Sequence, residues 1–257
     1  ESTISRLMAL LANGSGRARE IAAHALGLLS ERIAVPLLVS ALTDTDFYVR
    51  FRALEALSRI DEEETLPYLL DALRRQEGNN RGYIIEALGN LNNSAIIPVL
   101  SEYAQDDNSY VRQKVVEAIG LLGDSTTLNV LLTMAQDEVS SVRREAVVAL
   151  GKLGDRNAEA ALLNASEWDR SVEVRRWATI SAAQLGNRDV IPKLLIVLKD
   201  GDRNARQAAA QTLGQLEEII ALPTLLWAVT DEQPQVRRAC TRALKSMLNK
   251  LSTQPLI

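Results

Sequence analysis

A chain of 257 residues that is 47% hydrophobic but only 4% aromatic must build its core from Ala, Leu, Val and Ile, which suits closely packed helices. Its formal net charge of −4 disfavours a general nucleic-acid-binding protein, because phosphate-binding surfaces need a surplus of Lys and Arg. One cysteine, Cys240, excludes a disulfide within the chain, and no apolar run approaches the roughly 18–20 residues of a membrane span. With no signal peptide visible, we expect a cytoplasmic protein.

An arginine recurs through the whole chain at a spacing of 31 residues, with one interval of 32. It stands at Arg19, Arg50, Arg81, Arg112, Arg143, Arg175, Arg206 and Arg237. Chance does not hold one residue type in register over eight units, so the internal repeat decides the architecture. It predicts a single domain over residues 1–257 with repeat units at about 3–30, 31–61, 62–92, 93–123, 124–154, 155–186, 187–217 and 218–250.

Each unit is predicted to form two helices. In the second unit, the first helix is expected from about Ile33 to Leu42, with Pro36 near its start, where a missing N–H costs least. The second helix is expected from about Phe47 to Ser58, because its apolar residues follow the spacing of a buried helical face. Glycines of this register, such as Gly27 and Gly89, are expected to end the second helix by adopting positive φ.

An aspartate stands six residues before the repeated arginine in six of the eight units, while Asn13 and Arg75 take this position in the other two. An acid just ahead of a helix can cap its free N–H groups, and a periodic Asp and Arg can also hydrogen-bond between neighbouring units. A catalytic residue has no reason to recur in every repeat, so we interpret the series as a structural ladder. Its members are Asp44, Arg50, Asp106, Arg112, Asp137, Arg143, Asp169, Arg175, Asp200, Arg206, Asp231 and Arg237.

The pattern Asp-x-x-x-x-Val-Arg-x-x-Ala-x-x-Ala-Leu-Gly-x-Leu, followed by a Pro-x-Leu-Leu helix, resembles the bacterial HEAT-like repeats of the phycobilisome-lyase type. The stretch from Asp137 to Leu153 shows it most fully. The resemblance covers nearly the whole chain and implies an all-α fold, an α-solenoid of eight stacked helix pairs. It specifies function only weakly, because relatives include bilin lyase subunits, scaffolds, DNA-repair glycosylases and deoxyhypusine hydroxylase. The last of these holds two irons through several His-Glu pairs, which a chain with the single histidine His24 cannot supply.

The second helices of such units usually line the concave face of a solenoid, and their exposed positions follow from the register of the arginine. Five of the ten aromatic residues fall at these positions, beside arginines and carboxylates, a mixture typical of protein-binding surfaces. The open alternative is that these side chains pack between adjacent helices. The partner-binding candidates are Tyr48, Phe51, Arg52, Glu55, Tyr83, Glu86, Tyr110, Lys114, Arg144, Arg176 and Trp177.

The sequence therefore favours a scaffold that holds a partner polypeptide along the concave face, with no catalytic residue, metal or cofactor assigned. Cys240 stands where other units have alanine and is expected to be buried, as are Trp168 and Trp227. One alternative is a bilin lyase subunit or bilin-handling chaperone, in which aromatic rings cover a tetrapyrrole, arginines bind its propionates, and a related HEAT-repeat subunit completes the protein. The other is a HEAT-like DNA-binding or repair protein, which the overall acidity disfavours.

Overall fold

A computed structural model describes residues 2–253, with side chains to residue 250. These residues form α-helices and short 3₁₀ turns and contain no β-strand. None of the described helices is long and apolar enough to cross a membrane. The α-helices are α1 (Thr3–Asn13), α2 (Gly16–Leu28), α3 (Val35–Ala41), α4 (Phe47–Leu57), α5 (Glu62–Arg75), α6 (Asn79–Gly89), α7 (Ile97–Glu102), α8 (Ser109–Leu122), α9 (Leu128–Met134), α10 (Ser140–Leu153), α11 (Glu159–Trp168), α12 (Val172–Gln184), α13 (Ile191–Asp200), α14 (Arg203–Leu216), α15 (Leu222–Ala228) and α16 (Pro234–Thr253).

The chain forms two compact units, one up to Thr127 and one from Leu128 onward. Within each unit, the first helix of a pair packs against the second, as α1 does against α2 and α11 against α12. Second helices also pack against each other, as α2 does against α4 and α14 against α16. Such stacking of helix pairs confirms the predicted all-α, solenoid-type fold. The number of eight pairs and the single-domain organisation stay predictions.

The helices begin where the sequence supplies suitable residues. The second repeat forms α3 and α4, within about two residues of the expected bounds. Pro36 lies in the first turn of α3, where its missing N–H leaves no hydrogen bond unmade. The third repeat differs, because α5 begins at Glu62 and therefore contains Pro67 in its interior. Three glutamates in the first turn of α5 complement the positive end of the helix dipole.

The core of each unit consists of small and aliphatic side chains. Cys240 is completely buried, as expected, and this burial raises the pKa of its thiol to about 11, which disfavours a reactive thiolate at neutral pH.

The prediction that Trp168 and Trp227 belong to the core is wrong, since their exposed fractions are 78% and 57%. Leu225 and Ala228 take the core-facing positions of α15, so Trp227 faces away, and Trp168 is the last residue of α11.

The expectation that Gly27 and Gly89 end their helices by adopting positive φ is also wrong, because neither has positive φ: Gly27 is the second-last residue of α2 and Gly89 is the last residue of α6. Each instead permits close approach of the next second helix. A Cβ at Gly27 would lie 2.5 Å from the Cβ of Ala56, and one at Gly89 would lie 2.8 Å from the Cβ of Ala118. Positive φ occurs three residues later in the repeat, at Ser30, Asn92, Gly123, Gly154, Gly186 and Glu217.

We therefore expect Gly27→Ala to destabilise the protein although alanine is the better helix former, because the added methyl group collides with the backbone and side chain of Ala56. Overpacking of this kind costs about 1–3 kcal/mol, which a shift of the urea unfolding midpoint would measure. Ser58 takes the same register position directly after α4 and is exposed, so Ser58→Ala is the matched control. Equal effects of the two substitutions would contradict the close-approach explanation.

Candidate partner-binding surface

The repeated arginine bonds to the aspartate of the following repeat at several of the described junctions. Arg143 is the most buried example: its Nε lies 2.7 Å from Oδ2 of Asp169 and its Nη2 lies 2.9 Å from Oδ1. Only 6% and 8% of the two side chains are exposed. The other pairs are Arg19 with Asp44, Arg81 with Asp106, and Arg206 with Asp231.

The aspartate and arginine also hold the loops of their own repeats. Oδ1 of Asp169 accepts the N–H of Ser171 at 2.7 Å, and Nη1 of Arg143 donates to the carbonyl of Asp137 at 2.8 Å. Burial alone would raise the pKa of Asp169, but the hydrogen bonds from Arg143 and from the Ser171 N–H outweigh it and lower this pKa. The pKa values of Asp44 and Asp231 are lowered in the same way.

The series of contacts is interrupted. Asp200 is the last residue of α13 rather than a loop residue, and in the described part of the chain no hydrogen bond or ion pair joins it to Arg175. Arg75 replaces the aspartate in the third repeat, so Arg50 has no carboxylate from that position. The contact with a carbonyl of the same repeat persists in Arg50, Arg112, Arg175 and Arg237.

Three exposed aromatic side chains stand together at the start of α4. Phe47, Tyr48 and Phe51, which we call the aromatic patch, have exposed fractions of 62%, 63% and 49%. The ring centroid of Phe47 lies 5.6 Å from that of Tyr48 and 6.5 Å from that of Phe51. Asp46 caps α4 through the N–H of Tyr48, which fixes where these side chains emerge. Sequence reasoning missed Phe47 because it lies outside the register positions chosen as exposed.

Two arginines flank the aromatic patch. The guanidinium carbon of Arg50 lies 5.7 Å from the ring centroid of Phe47 and 4.7 Å from that of Tyr83 on α6. The guanidinium of Arg52 lies over Phe51 and also bonds to Glu55 at 2.7 Å. Arginine over an aromatic face at such distances is attracted by the ring quadrupole. The two cations and the rings therefore form one mixed surface in the first unit.

The other candidates of the first unit are half-buried between α6 and α8. The ring of Tyr110 packs edge-on against that of Tyr83, with centroids 5.8 Å apart. Lys114 lies 3.1 Å from Glu86 and 2.8 Å from Glu117. Burial alone would lower the pKa of Lys114, but these two carboxylates outweigh it and raise this pKa well above its usual range. Much of the surface of these side chains is buried between helices, which is the alternative that the sequence left open.

The remaining candidates lie in the second unit and form no comparable cluster among its described residues. Arg144 forms ion pairs with Glu145 and Glu173. Arg176 donates to the carbonyl of Asp200 at 2.8 Å, and Trp177 is half-buried. Among the described residues, an arginine lies over an aromatic ring in the first unit alone, although Trp168 and Trp227 of the second unit are also exposed.

Stacked helix pairs joined by a recurring Arg–Asp contact define a helical-repeat protein. The sequence matches the family described as HEAT repeats over residues 4–81, 69–151, 103–169, 140–214 and 191–257, and the chain belongs to this family. No curated protein matches it.

Solved structures share the fold at low sequence identity. YibA of Escherichia coli is 21% identical with a TM-score of 0.62, over 95% of this chain and 92% of that one. The complex of CpcE and CpcF of phycocyanin lyase from Nostoc is 21% identical with a TM-score of 0.51, over 96% and 95%. An engineered protein is 18% identical with a TM-score of 0.52, over 99% and 85%. At these identities, the likeness establishes the fold alone.

The Arg143–Asp169 contact predicts an acid-sensitive loss of stability. We expect Asp169→Asn to lower the free energy of unfolding by about 3 kcal/mol at pH 7, because a guanidinium then stays buried without its counter-charge. The native pKa of Asp169 is lowered, so its contribution is complete above the unfolded-state pKa of about 3.9 and is lost as pH falls through the lower native value.

Denaturant unfolding of the native protein and the variant between pH 7 and pH 3 measures this difference. Asp200→Asn is the matched control, since Asp200 occupies the same register without bonding to the arginine. A loss for Asp169→Asn that does not shrink toward pH 3, or an equal loss for Asp200→Asn, would contradict the explanation.

Proposed function

We propose that this chain is a protein-binding repeat scaffold and that a partner polypeptide lies against the aromatic patch of the first unit. The observation that carries the proposal is the exposure of three aromatic side chains on adjacent turns of α4, flanked by Arg50 and Arg52. Aromatic and arginine side chains dominate the binding energy of protein interfaces. Covering three rings removes apolar surface from water, which is favourable at about 25 cal/mol per Å².

In this proposal the partner is a second polypeptide, for example a related repeat subunit. The Nostoc structure is a complex of two chains, CpcE and CpcF, and an assembly of that kind is compatible with an exposed surface on one unit.

A bilin is the alternative occupant of the same surface, with the rings covering the tetrapyrrole and Arg50 or Arg52 bonding to a propionate. Titration of the protein with phycocyanobilin, followed by absorbance, separates the two proposals. A saturable spectral change that disappears in Phe51→Ala would replace the protein-binding proposal with bilin binding.

We expect a photo-reactive phenylalanine analogue at position 51 to capture a polypeptide from extracts of the source cells. The same analogue in place of Tyr68, an exposed residue on a first helix, is the matched control and should not capture it. The captured protein, once purified, should bind the native chain and lose about 2 kcal/mol, roughly 30-fold in Kd, with Phe51→Ala.

Identical capture at positions 51 and 68 would mean that no specific surface is involved. Unchanged affinity of Phe51→Ala for the purified polypeptide would remove the aromatic patch from the interface. Circular dichroism of Phe51→Ala, in which an exposed side chain is shortened, checks that the variant keeps the helical fold.

A further inference from the structure

The junction between the second and third repeats (31–61 and 62–92) departs from the pattern at both ends of its second helices. At the start of α4, Arg50 faces a repeat that carries Arg75 where the ladder has aspartate. At the end of α4, Ser58 replaces the glycine that elsewhere permits close approach. The junctions on either side, α2 with α4 and α6 with α8, have both the Arg–Asp contact and the glycine of close approach, and these helices pack closely. In contrast, α4 and α6 pack much less closely.

Arg50 keeps the backbone contacts of the repeated arginine but lacks the contact with an aspartate of the next repeat. Its Nη1 donates to the carbonyls of Asp44 and Thr45 at 2.8 and 3.2 Å. Within the described residues, its Nε and Nη2 have no hydrogen-bond partner and no carboxylate lies within ion-pair distance. In Arg19, these same two atoms bond to both carboxylate oxygens of Asp44. Arg75 cannot supply an acceptor and instead pairs with Asp71.

The surroundings of Arg50 favour an incoming anion. The guanidinium lies over the rings of Phe47 and Tyr83, which keep it oriented, while the backbone contact of Nη1 holds it in the same way as in Arg19, Arg143 and Arg206. An oriented guanidinium loses little side-chain entropy on forming a bidentate contact with a carboxylate. Phe47 also belongs to the aromatic patch, so a group bound to Arg50 would be continuous with a polypeptide on that patch.

We propose that Nε and Nη2 of Arg50 bind a carboxylate of the partner polypeptide, an Asp or Glu side chain or a chain terminus, in the geometry that Asp44 has with Arg19. The proposal rests on the proposed function and names the chemistry of the partner: an acidic group beside an apolar one. The repeat itself provides the template, because each paired arginine of the ladder receives a carboxylate from the neighbouring repeat. At this junction, the partner supplies the carboxylate that the third repeat lacks.

The test is an NMR titration of the full chain with sodium acetate at constant ionic strength, observing the arginine Nε–H resonances. We expect a saturable shift of the Arg50 resonance as acetate occupies its fork. The Nε–H of Arg206 is the internal control, since it already donates to Asp231 at 2.8 Å and should not shift. In Arg50→Lys, which keeps the charge but not the fork, acetate should no longer shift the resonances of the neighbouring Tyr83.

Equal responses of Arg50 and Arg206, no response, or the same response to chloride would each overturn the proposal. Stronger binding of inorganic phosphate than of acetate would overturn the carboxylate assignment in favour of a phosphorylated group. Phe51→Ala separates this proposal from the proposed function, because the Arg50 guanidinium lies over the rings of Phe47 and Tyr83, whereas Arg52 lies over Phe51: the variant should keep acetate binding while it loses partner binding. Acetate binding without any polypeptide partner would support the anion site and refute the scaffold proposal.

Discussion

The contact between the repeated arginine and the aspartate of the next repeat is the constraint on which the stacking depends. A core of Ala, Leu and Val attracts without direction, and equivalent faces on successive repeats can slide past one another. A bidentate contact has one geometry and therefore fixes where one repeat sits on the next. At Arg143 and Asp169 the charges are almost wholly buried, and they are tolerated because a loop carbonyl and a loop N–H satisfy their remaining atoms.

Close approach at the other end of the second helix completes this constraint. In the first unit, the Arg19–Asp44 contact lies near the start of α2 and the Gly27–Ala56 contact lies near its end. Two separated contacts determine both the position and the angle of the next helix, which one contact cannot do. Where Ser58 and Arg75 replace these residues, neither contact fixes the next helix, and the two repeats are joined by other interactions such as the Arg50–Tyr83 and Arg32–Glu64 contacts. The chain therefore contains junctions whose geometry is set by both contacts and others whose geometry is set by neither.

Sequence periodicity was sufficient for the fold class and for the helix bounds of the second repeat, because equivalent positions in a repeat have equivalent backbone environments. It did not reveal what each position touches. The role of Gly27 depends on its distance to Ala56 in another helix, and the exposure of Trp227 depends on which side of α15 faces the core. Tyr48 and Phe51 are exposed, as the register suggested, but Tyr83 and Tyr110 are partly used in packing because α6 and α8 approach each other so closely.

Departures from the repeat are consequently more informative about binding than the repeat itself. Residues that recur from unit to unit are explained by stacking. Arg75, Ser58 and the rings of Phe47 and Phe51 are not explained by stacking, since each weakens a junction or exposes apolar surface. These four residues fall on the two repeats that meet at one junction, which is where the proposed binding surface lies.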